Sequence, residues 1–251
     1  MPAACFRLRH GAKLGYYSPG FRQPSGAGEH VRRMNNFFEL FAQTVARFGE
    51  RLAVEVQRKD AVESFSYREL DRMSAQAAHF LADRGVGPGN RCAILSDNDA
   101  RWVAAYLGVL RLAAVAVPLD TAYKAKQIAA LLRNCQPNVL FTSPRFLAAV
   151  EEGIELAGAP CELVLLHGSA PQHVTFDAIL AAQPPRDLPP CPAQREDPAV
   201  ILYSSGTTGD PKGVVLTHAN LLAESEAVFQ VVHIDERDAI LGVLPLFHAL
   251  A

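Results

Sequence analysis

The run Tyr203-Ser204-Ser205-Gly206-Thr207-Thr208-Gly209-Asp210-Pro211-Lys212-Gly213-Val214 gathers the residue types that bind phosphate. Gly206, Gly209 and Gly213 let a backbone take positive φ and approach an anion closely, so that successive N–H groups converge on it. Ser204, Ser205, Thr207 and Thr208 add hydroxyl donors, and Lys212 adds a mobile positive charge. The common nucleotide loop needs Lys directly after its second Gly and a hydroxyl directly after that Lys; here Gly213 follows Lys212. Three or four such residues would suit an ordinary turn after a strand, whereas the whole run points to phosphate chemistry. Downstream lies Leu244-Pro245-Leu246-Phe247-His248-Ala249. Its His248 is a candidate for a site, although a lone His near an apolar strand is more often structural.

The elements that must position these residues follow from periodicity. The phosphate run sits between an apolar strand expected over 199–203 and a helix expected from about Thr217 to Gln230, with a further strand expected over 239–244. Upstream, Phe37, Phe38, Leu40, Phe41, Val45 and Phe48 recur at helical spacing before Gly49. The stretches 52–57 and 63–65, parted by Arg58-Lys59-Asp60, read as a hairpin. Ser66-Tyr67-Arg68-Glu69 has the form of a capping box, and its helix should stop at Gly85. Strands at 91–95, 114–117, 138–142 and 162–166 alternate with helices at 100–112 and 125–134. That rhythm predicts an α/β fold with mainly parallel strands and helices on both faces. The Pro-rich stretch 184–192 can neither extend a ladder nor continue a helix, so a subdomain boundary is expected there, between 34–190 and 191–251.

A chain of 251 residues with 49% apolar side chains can bury a full core. Its formal charge of -2 gives no field that would draw nucleic acid or an anionic membrane surface. Five dispersed cysteines without a CxxC pair indicate neither a disulfide framework nor zinc, which fits a reducing cytoplasm. His79, His167, His173 and His233 show no ligand spacing, so no protein-held metal is expected. The apolar stretch 102–119 carries Arg111 and Pro118 and reads as a buried helix and strand rather than a membrane span. Residues 1–33 carry six basic side chains against Glu29, without the apolar core of a secretory signal. We expect there a disordered tail or an upstream extension, with an organelle transit peptide as the alternative, and the folded part beginning near Met34.

Taken together, YSSGTTGDPKGVVLTH resembles the signature of the adenylate-forming superfamily, which includes acyl- and aryl-CoA synthetases, adenylation domains of nonribosomal peptide synthetases and firefly-type luciferases. The segment 244–249 is similar to the one ending in Phe-His that follows the phosphate loop in acyl-CoA synthetases; Ser66–Leu70 and Val117–Asp120 are weaker echoes. The resemblance covers residues 34–251 and implies the first part of the superfamily's large domain. It implies activation of a carboxylic acid by Mg-ATP through an acyl-adenylate, then transfer to the thiol of coenzyme A, with a fatty acid as the leading substrate. It assigns phosphate binding to Ser204, Ser205, Gly206, Thr207, Thr208, Gly209 and Lys212, substrate contact to Phe247 and His248, and catalytic roles to Lys212 and His248. Asp210 before Pro211 is ordinary turn chemistry. Loading of a carrier protein is the rival within the class, and a non-catalytic nucleotide-binding product the rival outside it. Because the later Tyr-Gly-x-Thr-Glu segment, the ribose-binding Asp and the small domain with its catalytic Lys have no counterpart here, the chain alone is expected to be inactive or nearly so. Peripheral membrane contact and oligomeric state are left open.

Overall fold

The first helix, α1 (Phe37–Phe48), begins at Asn36, whose Oδ1 accepts the Glu39 N–H at 2.9 Å. This N-cap satisfies one of the donors that a helix start leaves unpaired. A computed structural model describes residues 34–182, 188–204, 211–231 and 237–248, so the tail expected at 1–33 lies outside the described residues. Strands β1 (Leu52–Gln57) and β2 (Val62–Ser66) form the anticipated antiparallel hairpin. Helix α2 (Tyr67–Ala82) then opens on the capping box: Ser66 Oγ accepts the Glu69 N–H at 3.2 Å, and Glu69 Oε2 accepts the Ser66 N–H at 2.7 Å. Gly85, at φ +75, turns the chain out of the helix where few other residues would sit unstrained.

Strands and helices then alternate: β3 (Arg91–Leu95), α3 (Ala100–Arg111), β4 (Val115–Pro118), α4 (Ala125–Cys135), β5 (Val139–Thr142), α5 (Leu147–Ala157) and β6 (Glu162–Leu165). A short β7 (Val174–Thr175) leads into α6 (Phe176–Ala181). Beyond the Pro-rich stretch come β8 (Pro198–Ser204), β9 (Lys212–Thr217) and α7 (His218–Val231). The seven-stranded sheet has the order β7-β6-β5-β3-β4-β8-β9, parallel throughout except that β9 runs antiparallel to β8. The boundary expected near residue 190 therefore lies between two strands, β7 and β8, of one sheet.

Both faces of the sheet are covered along β3 to β6, which is why those strands read as continuous apolar runs, whereas most of β9 is exposed. Side chains alternate across a strand. Cys92 and Ile94 of β3 accordingly join Met73, Ala77, Leu81, Trp102 and Leu110 on the face covered by α2 and α3, while Ala93 and Leu95 join Ile128, Leu132 and Val150 under α4 and α5. Each fully buried Leu or Ile contributes roughly 1.5–3 kcal/mol. Gly108 allows α3 to pack closely on α2: a Cβ there would lie 2.8 Å from Ala77 Cβ and 2.9 Å from the Ser74 carbonyl oxygen.

Two expectations are corrected. Residues 239–244 form no strand; Ile240, Val243 and Leu244 are exposed, and an apolar run without a partner edge stays irregular. The phosphate run does not pass directly from strand to helix, because β9 intervenes and pairs back on β8.

Candidate functional site

The β8–β9 hairpin positions the phosphate run. Ser204 ends β8 directly opposite Lys212, the first residue of β9, and residues 205–211 connect them. Ser205, Gly206, Thr207, Thr208 and Gly209 lie outside the described residues; Lys212 is described and exposed. Gly213 has ordinary strand φ rather than the positive φ expected of it. Its missing side chain makes room instead, since a Cβ would lie 2.8 Å from Ile201 Cγ2 and 3.1 Å from Tyr203 Cε1. The Tyr203 ring can thus lie across β9 while its hydroxyl donates to Asn134 Oδ1 at 2.5 Å. That bond ties the last turn of α4 to the strand entering the loop.

The second candidate segment forms a turn in which the His248 N–H donates to the Pro245 carbonyl at 2.9 Å. It brings Phe247 and His248 to different cavities. His248 lines an apolar one of about 540 Å³ with Phe41, Trp102, Tyr106, Leu202 and Leu246. Phe247 lines a polar crevice of about 490 Å³ with Arg58, Asn98, Asp99, Arg145 and His167. Lys212 borders neither cavity.

The crevice lies at the carboxyl ends of β3, β5 and β6, where Ser96 to Asp99, Ser143 to Arg145 and His167 emerge. From β3 the sheet continues to β4 on one side and β5 on the other, so this is the topological switch point where open α/β sheets form their crevices. Its anchor is Asp99. Asp99 Oδ1 caps α3 by accepting the Arg101 N–H at 2.9 Å. Asp99 Oδ2 sits 2.6 Å from Arg58 Nη2 and 3.2 Å from His167 Nε2. Burial disfavours the carboxylate, but the His167 bond and charge, the Arg101 N–H and the Arg58 charge outweigh it and hold the Asp99 pKa below its usual value. Arg58 also grips Glu63 across the hairpin with bonds of 2.7 and 3.0 Å. Sequence reading did not single out Asn98, Asp99 or Arg58, and named His167 only among histidines without ligand spacing. One signal was available: an Asp directly before an apolar helix is an N-cap.

His218, the first residue of α7, bonds at the start of a different helix: its Nδ1 accepts the Phe37 N–H at 3.2 Å, at the head of α1. It is fully buried, and burial lowers its pKa, offset only in part by Asp197. Among the described residues no group of three or more His, Cys, Asp or Glu side chains is placed to hold a metal ion, and no helix is long and apolar enough to cross a membrane.

An α/β sheet with a Ser/Thr/Gly-rich loop on its β8–β9 hairpin defines a class that the comparisons identify. Residues 41–251 match the AMP-binding enzyme family, and the chain belongs to that family. CymA of Salinispora arenicola, named as a nonribosomal peptide synthetase, is 34% identical over 194 residues, covering 76% of this chain and 2% of that protein. The crotonobetaine/carnitine–CoA ligase of Salmonella arizonae is 30% identical over 226 residues, 88% of this chain and 43% of the ligase. Among solved structures, the anthranilate CoA ligase AuaEII in complex with anthranoyl-AMP aligns with a TM-score of 0.68 at 25% identity, over 77% of this chain and 36% of its own. The chain thus spans less than half the length of these relatives.

Proposed function

We propose that this chain takes part in ATP-dependent activation of a carboxylic acid, with coenzyme A as the acceptor of the acyl group. A carboxylate oxygen attacks the α-phosphorus of ATP, the bond to the β-phosphate oxygen breaks, and pyrophosphate leaves with its electron pair. The acyl-adenylate is then attacked at its acyl carbon by a thiolate, and AMP departs. The observation that carries this reading is the hairpin that closes residues 205–211 between Ser204 and Lys212 in a member of the AMP-binding enzyme family. The backbone of Ser205, Gly206, Thr207, Thr208 and Gly209 and the ammonium of Lys212 meet the charge that grows on the phosphate oxygens. Magnesium enters with ATP and supplies further neutralisation of that charge. Residues 34–190 and 191–251 are proposed as the first subdomain of the AMP-binding region and the start of the second.

An apolar acid of the fatty acid type is favoured by His248, which lines a cavity otherwise walled mainly by aromatic and aliphatic side chains. In this reading His248 faces the acyl side as a catalytic residue, and Phe247 bounds it. The identity to CymA favours, as second reading, the phosphopantetheine thiol of a carrier protein as acceptor.

The test is ATP–pyrophosphate exchange by the polypeptide carrying these residues, challenged with acetate, octanoate, palmitate and an aryl acid. Exchange that depends on one class of acid and falls at least about tenfold in Lys212→Ala and in Ser205→Ala is the expected result. A folded protein that exchanges with none of the acids removes the proposal. Adding coenzyme A or a loaded carrier domain then separates the two acceptors.

A further inference from the structure

The turn that carries Phe247 and His248 has little of its own to hold it. Val243 and Leu244 are 66% and 51% exposed, and Leu246 is the residue of this segment that packs against the main apolar cluster. Its hydrogen bonds from Val243 to Leu241 and from His248 to Pro245 are internal. Among the described residues, the hydrogen bonds that join 242–246 to the body of the fold all come from one side chain. Asn98 Nδ2 donates to the Leu244 carbonyl at 2.7 Å and, more weakly, to the Gly242 carbonyl at 3.4 Å, while Asn98 Oδ1 accepts the Leu246 N–H at 2.8 Å.

The geometry points to Asn98 as the positioning residue that clamps this turn and thereby sets Phe247 against the polar crevice and His248 against the apolar cavity. A carboxamide presents a donor and an acceptor in one plane, matching the carbonyl of Leu244 and the N–H of Leu246 much as a neighbouring strand would. Asp has no donor for Leu244, and Leu has neither group. The base of the clamp is rigid because the adjoining Asp99 is fixed by Arg58, by His167 and by the Arg101 N–H. Pro245, between the two clamped residues, adds a fixed φ of its own. The reach of the clamp to the acyl substrate rests on the function proposed above; the clamp itself does not.

Amide hydrogen exchange on this chain tests the clamp directly. In Asn98→Leu, which loses donor and acceptor, and in Asn98→Asp, which loses the donor and sets a carboxylate against the Leu244 carbonyl, the peptide covering 242–248 exchanges about tenfold faster or more than in the parent, while peptides from β3 and α3 keep their rates. Unchanged exchange over 242–248 overturns the proposal. Should Asn98→Leu loosen β3 as well, Asn98→Asp decides, since it keeps the size of the side chain and replaces only the donor. In acid-dependent pyrophosphate exchange, the same variants raise KM for the acid about fivefold or more and leave KM for ATP within about twofold. Parallel loss for both substrates would mark a merely structural role and count against positioning. If the parent shows no exchange with any acid, the proposed function falls, and amide exchange still decides the clamp.

Discussion

Replacing Asp99 separates its two roles, because Asn and Ala remove different parts of them. Its side chain is only 3% exposed and meets Arg58 at 2.6 Å, His167 at 3.2 Å and the Arg101 N–H at 2.9 Å. Removing one partner of a buried pair costs about 3–5 kcal/mol. Arg58 is 33% exposed and keeps Glu63, so water and Glu63 recover part of its charge and the lower figure applies. Losing the cap of α3 adds about 1 kcal/mol. Asp99→Ala should therefore destabilise the fold by roughly 4 kcal/mol. Asp99→Asn keeps the capping oxygen but turns an NH2 donor towards the donor-only guanidinium of Arg58, so the cap of about 1 kcal/mol is retained and about 3 kcal/mol is lost. Urea unfolding followed by circular dichroism measures both at pH 7. The folded pKa of Asp99 is lowered, so its contribution is complete above the ordinary Asp value near ~3.9 and fades as pH falls through the folded value. The gap between parent and Asp99→Asn should narrow in that acid window. Equal losses for Ala and Asn would refute the capping argument, and losses below about 0.5 kcal/mol for both would refute the ion-pair argument.

His218 gives an acid signature of the same sign in a higher pH window. Its lowered folded pKa means that the unfolded chain takes up a proton first, so stability should fall as pH drops below about 6.5. His218→Leu should lose about 1–2 kcal/mol at pH 7.5 by orphaning the Phe37 N–H, yet show a flatter slope between pH 7.5 and 5.5. Gly108→Ala sets a helix propensity gain of about 1 kcal/mol against contacts of 2.8 and 2.9 Å with Ala77 and the Ser74 backbone. Because a backbone oxygen cannot step aside, overpacking wins, and thermal melting should drop by several degrees rather than rise.

The sequence disclosed the parts of the fold that local patterns encode. Strand β3 falls on 91–95 as expected, and the capping box at Ser66 and Glu69 opens α2. Helix α5 and the short pair β7 and α6 were not anticipated; α5 has neither a side-chain N-cap bond nor an acid in its first turn to announce it. The strand expected at 239–244 failed for a different reason. An apolar run needs a free sheet edge as well as β-branched residues, and only tertiary structure reveals where such an edge lies. Of the candidate site, the phosphate run and the Phe-His segment were visible as residue types. The clamp between Asn98 and residues 242–246 was not, because it joins positions far apart in sequence through backbone groups that every residue carries.

The intervening strand β9 changes the electrostatics expected of the phosphate run. Where a helix follows a phosphate loop at once, its free N–H groups and dipole carry much of the anion's charge. Here α7 starts only at His218, and its first donors are already engaged: the His218 N–H with the Asp197 carbonyl at 3.1 Å, the Ala219 N–H with the Arg195 carbonyl at 2.7 Å, and the Asn220 N–H with Thr217 Oγ1 at 3.3 Å. The helix start is therefore spent on anchoring residues 195–197, not on a ligand. In the proposed reaction the charge must fall to the loop backbone, its hydroxyls and Lys212. Lys212 is exposed at the head of β9, so Lys212→Ala should leave urea stability within about 0.5 kcal/mol. It should nonetheless weaken ATP-dependent exchange about tenfold or more, with Lys212→Arg recovering part of the loss because the charge is kept while the donor geometry changes. Full activity in a folded Lys212→Ala variant would place the phosphate charge elsewhere and break the chain of argument from β9 to Lys212.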